Sequence, residues 1–288
     1  MFVFLGTFRL AHPHDHSDAA RPMRRLTYRR TPAAAAHDLE RLVAVGFLRA
    51  AQEADAAGPR LTTWVRSASE ERLVRSLLGE PDVTGHDRLD RHALDAWRVK
   101  VIPGVWLAGA EAQVPAAAIT VVRLPVGSGF GLGDHPTTLL AARLLARTPV
   151  EGLRVLDLGC GSGALAALAG LNGAKVVDAV DLDPDSVSHT RRTLKANRIP
   201  GTVWKSDLLK RVPATYDVIA ANLVGDLLCE LFASGTLPAR LAAGGIVVSS
   251  GISDAKQPAV EAAAKADGWK VVKRIRTAGW VGLALRRR

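Results

Sequence analysis

The sequence predicts an α/β protein whose larger part is a seven-stranded, mostly parallel sheet with one antiparallel strand, preceded by a small α+β N-terminal domain. Three observations lead there. From Arg154 onward, short apolar runs alternate with helix-length segments, the pattern that builds a parallel sheet covered by helices on both faces. A glycine-rich turn, Asp157-Leu158-Gly159-Cys160-Gly161-Ser162-Gly163, falls between the first of those runs and the first helix. Near the end, residues 269–275 and 280–285 form two strand-like runs only four residues apart, too close for a helical crossover. They must pair as a hairpin, which turns one of them against the rest.

Taken in order, residues 1–22 show no sustained periodicity and are read as a disordered leader, with Met23 offering an alternative start. The leader holds His12, His14 and His16 around Asp15 and Asp18, but no cysteine or second histidine pair completes a ligand set, so no metal is expected. Residues 23–81 read as a small α+β substrate-recognition domain. Leu26-Thr27-Tyr28 is strand-like, and Thr31-Pro32 opens a helix over 33–47 with Thr31 as N-cap and proline at the first helical position. Alternation over 60–66 predicts a second strand, and Ser69-Glu70-Glu71 opens a helix that Gly79 and Pro81 end. Residues 82–96 read as a linker. The main domain, 97–288, begins with two strands, 97–108 and 118–124, and continues with strands over 154–158, 176–182, 203–207, 216–223 and 245–250. Helices are expected from Ala164, over 184–197, up to Leu241 and over 254–267.

Composition narrows the class. With 288 residues and 48% hydrophobic content the chain can bury a large core, and two domains fit the pattern better than one. No apolar run is long enough for a bilayer, and the opening Met1-Phe2-Val3-Phe4-Leu5 lacks a basic region and a cleavage site, so neither membrane nor secretion is expected. Cys160 and Cys229 are too few for a disulfide framework and read as reduced thiols, which points to the cytoplasm. The net charge is +10, with 21 basic against 14 acidic residues from Pro125 onward and 17 against 14 before it. Such a surface favours encounter with nucleic acid or a ribosome, and solvated surface charge explains it equally well. The clusters Arg24-Arg25, Arg29-Arg30 and Arg286-Arg287-Arg288 are candidates for weak ribosomal RNA contact, although terminal solvated charge is the commoner case.

The chemistry concentrates at the predicted strand ends. Glycines at 159, 161 and 163 allow a tight turn and let a ligand lie against the backbone. The turn alone is ambiguous, because Gly159, Gly161 and Ala164 also satisfy the dinucleotide pattern. Asp157, just before the first glycine, suits the amino group of an amino-acid moiety better than a pyrophosphate. Asp181 at the second strand end offers a carboxylate to ribose hydroxyls, as either class of ligand requires. Asp207 is placed to accept from an adenine exocyclic amine, and Asp183 before Pro184 reads as a helix cap.

Upstream, Gly129-Phe130-Gly131-Leu132-Gly133-Asp134-His135-Pro136-Thr137-Thr138 precedes the glycine turn. Together with Asn222, Leu241-Ala242-Ala243-Gly244-Gly245, Ser250-Gly251-Ile252 and Trp280-Val281-Gly282-Leu283, it resembles the PrmA family, the S-adenosylmethionine-dependent methyltransferases of large-subunit ribosomal protein eleven. The resemblance covers about 97–288. It implies a Rossmann-like methyltransferase sheet, S-adenosylmethionine as cofactor, and methylation of lysine side chains and the N-terminal amine of that ribosomal protein, with the N-terminal domain presenting the substrate. It also implies that Thr138, Gly159, Asp181 and Asn222 contact the cofactor, Asn222 beside the methyl group as the catalytic position. Leu132 stands where the family has threonine, and Pro125-Val126-Gly127 replaces an aspartate-proline-glycine approach. His135 has the look of a general base, but shaping the turn by hydrogen bonding is the favoured reading. A related protein-lysine methyltransferase with another target, and a non-catalytic binder of the same cofactor, are the alternatives. NAD chemistry is disfavoured by the terminal hairpin.

Overall fold

The computed structural model describes residues 23–44, 50–55, 58–65, 68–87, 97–125 and 135–287. The leader at 1–22, its histidines, and residues 126–134 with Leu132 lie outside the described residues.

The N-terminal module is an antiparallel sheet of β1 (Met23–Arg29), β2 (Ala50–Asp55), β3 (Gly58–Val65) and β4 (Val83–Asp87) in the order β2-β3-β1-β4. Helices α1 (Pro32–Ala44) and α2 (Ala68–Leu78) cover one face. Thr31 caps α1, its hydroxyl accepting from the Ala34 amide at 3.2 Å, so the predicted start holds. The helix is described only to Ala44, short of the expected 47. The apolar stripe Ala35, Ala36, Leu39 and Leu42 packs on Leu26, Tyr28 and Leu61, all buried. Each leucine so placed contributes about 2 kcal/mol of burial. Two strands escaped the sequence reading. Ala50–Asp55 has no β-branched or aromatic residue, and Val83–Asp87 lies in the stretch read as linker. Both are sheet edges, held by backbone pairing to β3 and β1 that leaves little trace in side-chain pattern.

The stretch 97–124 holds three strands where two were expected: β5 (Arg98–Ile102), β6 (Val105–Gly109) and β7 (Thr120–Leu124). Pro103-Gly104, with Gly104 at φ +80°, breaks 97–108 into a hairpin. β7 is tied to the main domain by Asn197, which accepts from the Arg123 amide at 2.7 Å and donates to its carbonyl at 2.6 Å.

The main sheet has seven strands: β8 (Arg154–Leu158), β9 (Val176–Asp181), β10 (Thr202–Lys205), β11 (Tyr216–Asn222), β12 (Leu241–Ser253), β13 (Trp269–Thr277) and β14 (Trp280–Arg287). Their order is β10-β9-β8-β11-β12-β14-β13, and only β14 runs against its neighbours. The fold is thus the α/β sheet with one antiparallel strand read from the sequence. Its helices are α3 (Pro136–Leu145), α4 (Ala164–Leu171), α5 (Pro184–Ala196), α6 (Gly225–Ala233) and α7 (Gln257–Ala266). Small residues dominate the contact of α3 with α4: Ala141, Ala142, Ala164, Ala166 and Ala167 are buried in one core with Val155 and Val218. The opposite face centres on Leu156, Ile219, Phe232 and Trp269. Leu140 of α3 and Trp280 of β14 belong instead to the core of the N-terminal module, so the two parts share apolar contacts. Among the described residues no helix is long and apolar enough to cross a membrane.

Candidate functional site

The carboxyl ends of β8, β9, β11 and β12 and the amino end of α3 converge on one rim. At such a rim, loop backbones and helix amino termini are free to meet a ligand.

The glycine turn after β8 is held down by backbone bonds: the amides of Gly159 and Cys160 both donate to the Val180 carbonyl, at 2.8 and 3.0 Å. Gly159, Gly161 and Gly163 have φ of +75°, +53° and +77°, where a side chain is strained. A Cβ on Gly159 would lie 2.3 Å from the Leu223 Cδ2, and one on Gly163 would lie 2.9 Å from Thr190. Two carboxylates brace this turn. Asp181 accepts from the Gly161 amide with one oxygen and from the Asp183 amide with the other, both at 2.9 Å. Burial is the main cause of its raised pKa. Asp157 is 2% exposed and accepts from the Ala166 amide in the first turn of α4 at 2.9 Å. Burial pushes its pKa up to about 8.

Asn222, at the end of β11, meets Thr138 on α3: its Nδ2 donates to Thr138 Oγ1 at 3.4 Å, a bond spanning 84 residues of sequence. The Asn222 Oδ1 is buried and has no partner among the described residues. Ser250 lies opposite Asn222 in the β11–β12 register, and its buried hydroxyl also lacks a partner there, as does that of Ser249. Gly251 follows at φ +86°, its α-carbon so near Leu223 that a Cβ would sit 2.1 Å from the Leu223 carbonyl oxygen.

His135 proves to be a cap. Its Nδ1 accepts from the Thr137 amide at 3.2 Å and lies 2.6 Å from the Thr137 hydroxyl, while Pro136 occupies the first helical position. The ring packs edge-on to Trp280, and burial lowers its pKa to about 3, so it stays neutral and shapes the turn. Asp183 likewise caps α5, accepting from the Asp185 amide at 3.0 Å. Asp207 stands apart from this buried group: it is exposed and its carboxylate lies 2.5 Å from the Lys210 ammonium. Of the arginine clusters, Arg24 pairs with Glu71 at 2.9 Å and Arg30 with Asp38 at 2.7 Å. Sequence reasoning missed Leu182, which is 59% exposed beside Asp181, and Leu208, at φ +46° after Asp207. Neither carries a periodic signal in the sequence, and the left-handed backbone of Leu208 is strained for its side chain.

A sequence model of the ribosomal protein L11 methyltransferase (PrmA) family matches residues 94–288. The chain belongs to that family. Among PrmA relatives, the ribosomal protein L11 methyltransferase of Thermotoga neapolitana is 34% identical over 167 residues, 58% of this chain and 62% of that protein. The one from Thermosipho melanesiensis is 43% identical over 136 residues, 47% of this chain and 52% of that protein. Both alignments therefore span less than two thirds of those relatives. The crystal structure of ribosomal protein L11 methylase from Lactobacillus delbrueckii subsp. bulgaricus superposes with a TM-score of 0.62 at 30% identity, covering 66% of this chain and 98% of that one. The PrmA match begins close to β5, so the N-terminal module of β1 to β4 lies outside it.

Proposed function

We propose that the chain transfers methyl groups from S-adenosylmethionine to lysine side chains and the N-terminal amine of ribosomal protein L11, in the cytoplasm. The observation that carries this is the Asn222 carboxamide, whose amide nitrogen is spent on Thr138 while its buried oxygen waits for a donor. A buried acceptor without a partner costs about 1–3 kcal/mol, a cost that a ligand N–H removes.

When bound, the cofactor supplies an already activated methyl group. What remains for the protein is to hold, dry and orient. The residues fit that group. Gly159, Gly161 and Gly163 make a turn with three left-handed residues and no side chain between its backbone and a ligand, and a carboxylate such as Asp181 keeps lone pairs for ribose hydroxyls beyond its bonds to the Gly161 and Asp183 amides. Asp157 and Thr138 serve the amino-acid end, and Asp207 takes the adenine amine at the open rim. An ammonium has no lone pair, so the target amine loses its proton to water first. Asn222 Oδ1 then accepts one remaining N–H, with the Ser250 hydroxyl as a second acceptor one strand away. The N-terminal module, extended through β4, presents the substrate to the catalytic domain, joined to it by the rest of the segment up to residue 96.

Calorimetric titration should show binding of S-adenosylhomocysteine and none of NAD. Asn222→Ala should keep that binding while methyl transfer falls about 100-fold. Unchanged turnover in this variant contradicts the role of Asn222, and NAD in place of S-adenosylhomocysteine contradicts the cofactor.

A further inference from the structure

A concavity of about 920 Å³ lies at the other end of α3 from that rim. His135 and Thr138 at the amino end of that helix belong to the site above, whereas Arg143 and the following Arg147 and Thr148 line this groove. Ten residues of helix separate the two ends by about 15 Å. The sheet repeats the separation, because Ile246 in the groove lies midway along β12, four residues before Ser250.

Five cations from three elements and a helix end converge here: Lys100 of β5, Arg143 of α3, Arg147, and Lys273 and Arg276 of β13. Among the described residues no carboxylate lines the groove. Arg276 lies 3.6 Å from Asp254, and among the described residues no carboxylate pairs with the other four. Arg143 is fixed at the wall by donation from its Nε to the Val101 carbonyl at 3.1 Å. Charge on an edge strand commonly guards against pairing with another chain, which accounts for Lys273 and Arg276. Lys100 stands on β5, an edge of its own sheet, and falls under the same rule, but Arg143 and Arg147 lie on a helix and in the turn after it and do not. Between the cations the floor is aliphatic, from Ile102, Leu144, Ile246 and Ala284, and Val272 is 46% exposed at its margin.

We propose that this groove docks an amphipathic helical segment of a protein partner, apolar on the face turned to the floor and rich in aspartate and glutamate along its flanks. The charge is complementary to such a helix, and an aliphatic groove suits anchors spaced i, i+3, i+4 and i+7. A single RNA strand fits less well: among the described residues no aromatic side chain lines the groove for base stacking, and an aliphatic floor gains little from phosphate and ribose. The inference goes beyond the methyl-transfer reading and does not depend on it.

Fluorescence anisotropy with the full chain tests it. The probes are a labelled helix-forming peptide with leucines at those spacings flanked by glutamates, the same peptide with lysine for glutamate, one with serine for leucine, and a single-stranded RNA of equal length. The acidic peptide should bind, and more weakly as salt rises. The double variant Arg147→Glu/Lys273→Glu and the serine peptide should each weaken binding by about tenfold or more, roughly 1.4 kcal/mol, and the lysine peptide should not bind. The double variant should bind S-adenosylhomocysteine as the parent does; if charge reversal disturbs folding, Arg147→Gln/Lys273→Gln gives the same comparison. The proposal is overturned if the acidic peptide does not bind, binds the variants as well as the parent, binds no better than the serine peptide, or is outcompeted by RNA that is lost in the same variants.

Discussion

Asp157 sits inside the sheet with its carboxylate out of water, and burial raises its pKa from 3.8 to about 8. Between those values the folded chain holds a proton that the unfolded chain has released, so this group lowers stability as pH rises through the window. Asp157→Asn removes that slope: urea unfolding at about pH 5 and about pH 8.5 should show the variant gaining on the parent at the higher pH, and parallel behaviour would refute the buried charge. A cation set beside Asp157, such as the α-ammonium of an amino-acid ligand, favours the ionised form. Ligand binding at about pH 7 should therefore release a proton, read as a dependence of the calorimetric enthalpy on the buffer and lost in Asp157→Asn. His135 behaves oppositely. With its pKa lowered to about 3 it contributes no inflection to the rate profile near neutrality, and His135→Ala should cost about 1 kcal/mol or more through the lost cap. Caps were legible in the sequence where residue type and position fix them, as Thr31 and Asp183 show, whereas His135 was legible as a turn-shaping residue and the structure makes it a cap. Asp207 was legible only as a strand-end acid. Its exposure and its pairing with Lys210 depend on the turn that follows β10.

Among the elements, the terminal hairpin was readable because four residues cannot hold a crossover, and the structure sharpens it to a two-residue turn of Ala278 and Gly279 at φ +51° and +82°. Two left-handed residues match the twist of paired strands, and alanine is the strained member. Ala278→Asn should raise stability by roughly 0.5–1 kcal/mol, measured as an increase in the urea midpoint. The β12 turn is less forgiving. Gly251→Ala places a Cβ 2.1 Å from the Leu223 carbonyl in a left-handed backbone and should destabilise by about 3 kcal/mol, moving Leu223 away from the Asn222 site. The edge strands β2 and β4 were hidden for the reason given by their positions: a strand paired on one side needs less apolar alternation than one in the middle of a sheet.

Across the whole molecule, the N-terminal module rests on Leu140, Trp280 and the hairpin turn, where a Cβ on Gly279 would meet the Pro32 carbonyl oxygen at 2.5 Å. Gly279→Ala should loosen this junction by about 1–3 kcal/mol, seen as faster proteolytic release of the module with the main sheet intact. Trp280 also touches His135, so the junction and the cap of the helix that carries Thr138 are in mechanical contact. None of this contact was legible beforehand, because shared cores between segments more than two hundred residues apart leave no periodic mark. Methyl transfer to a ribosomal protein is decided by intact-mass spectrometry of purified L11 after incubation with the full chain and S-adenosylmethionine. L11 should gain mass in increments of whole methyl groups, located on lysine and N-terminal amines and nearly absent with Asn222→Ala. An unmodified L11 in the presence of chain that binds S-adenosylhomocysteine would contradict it.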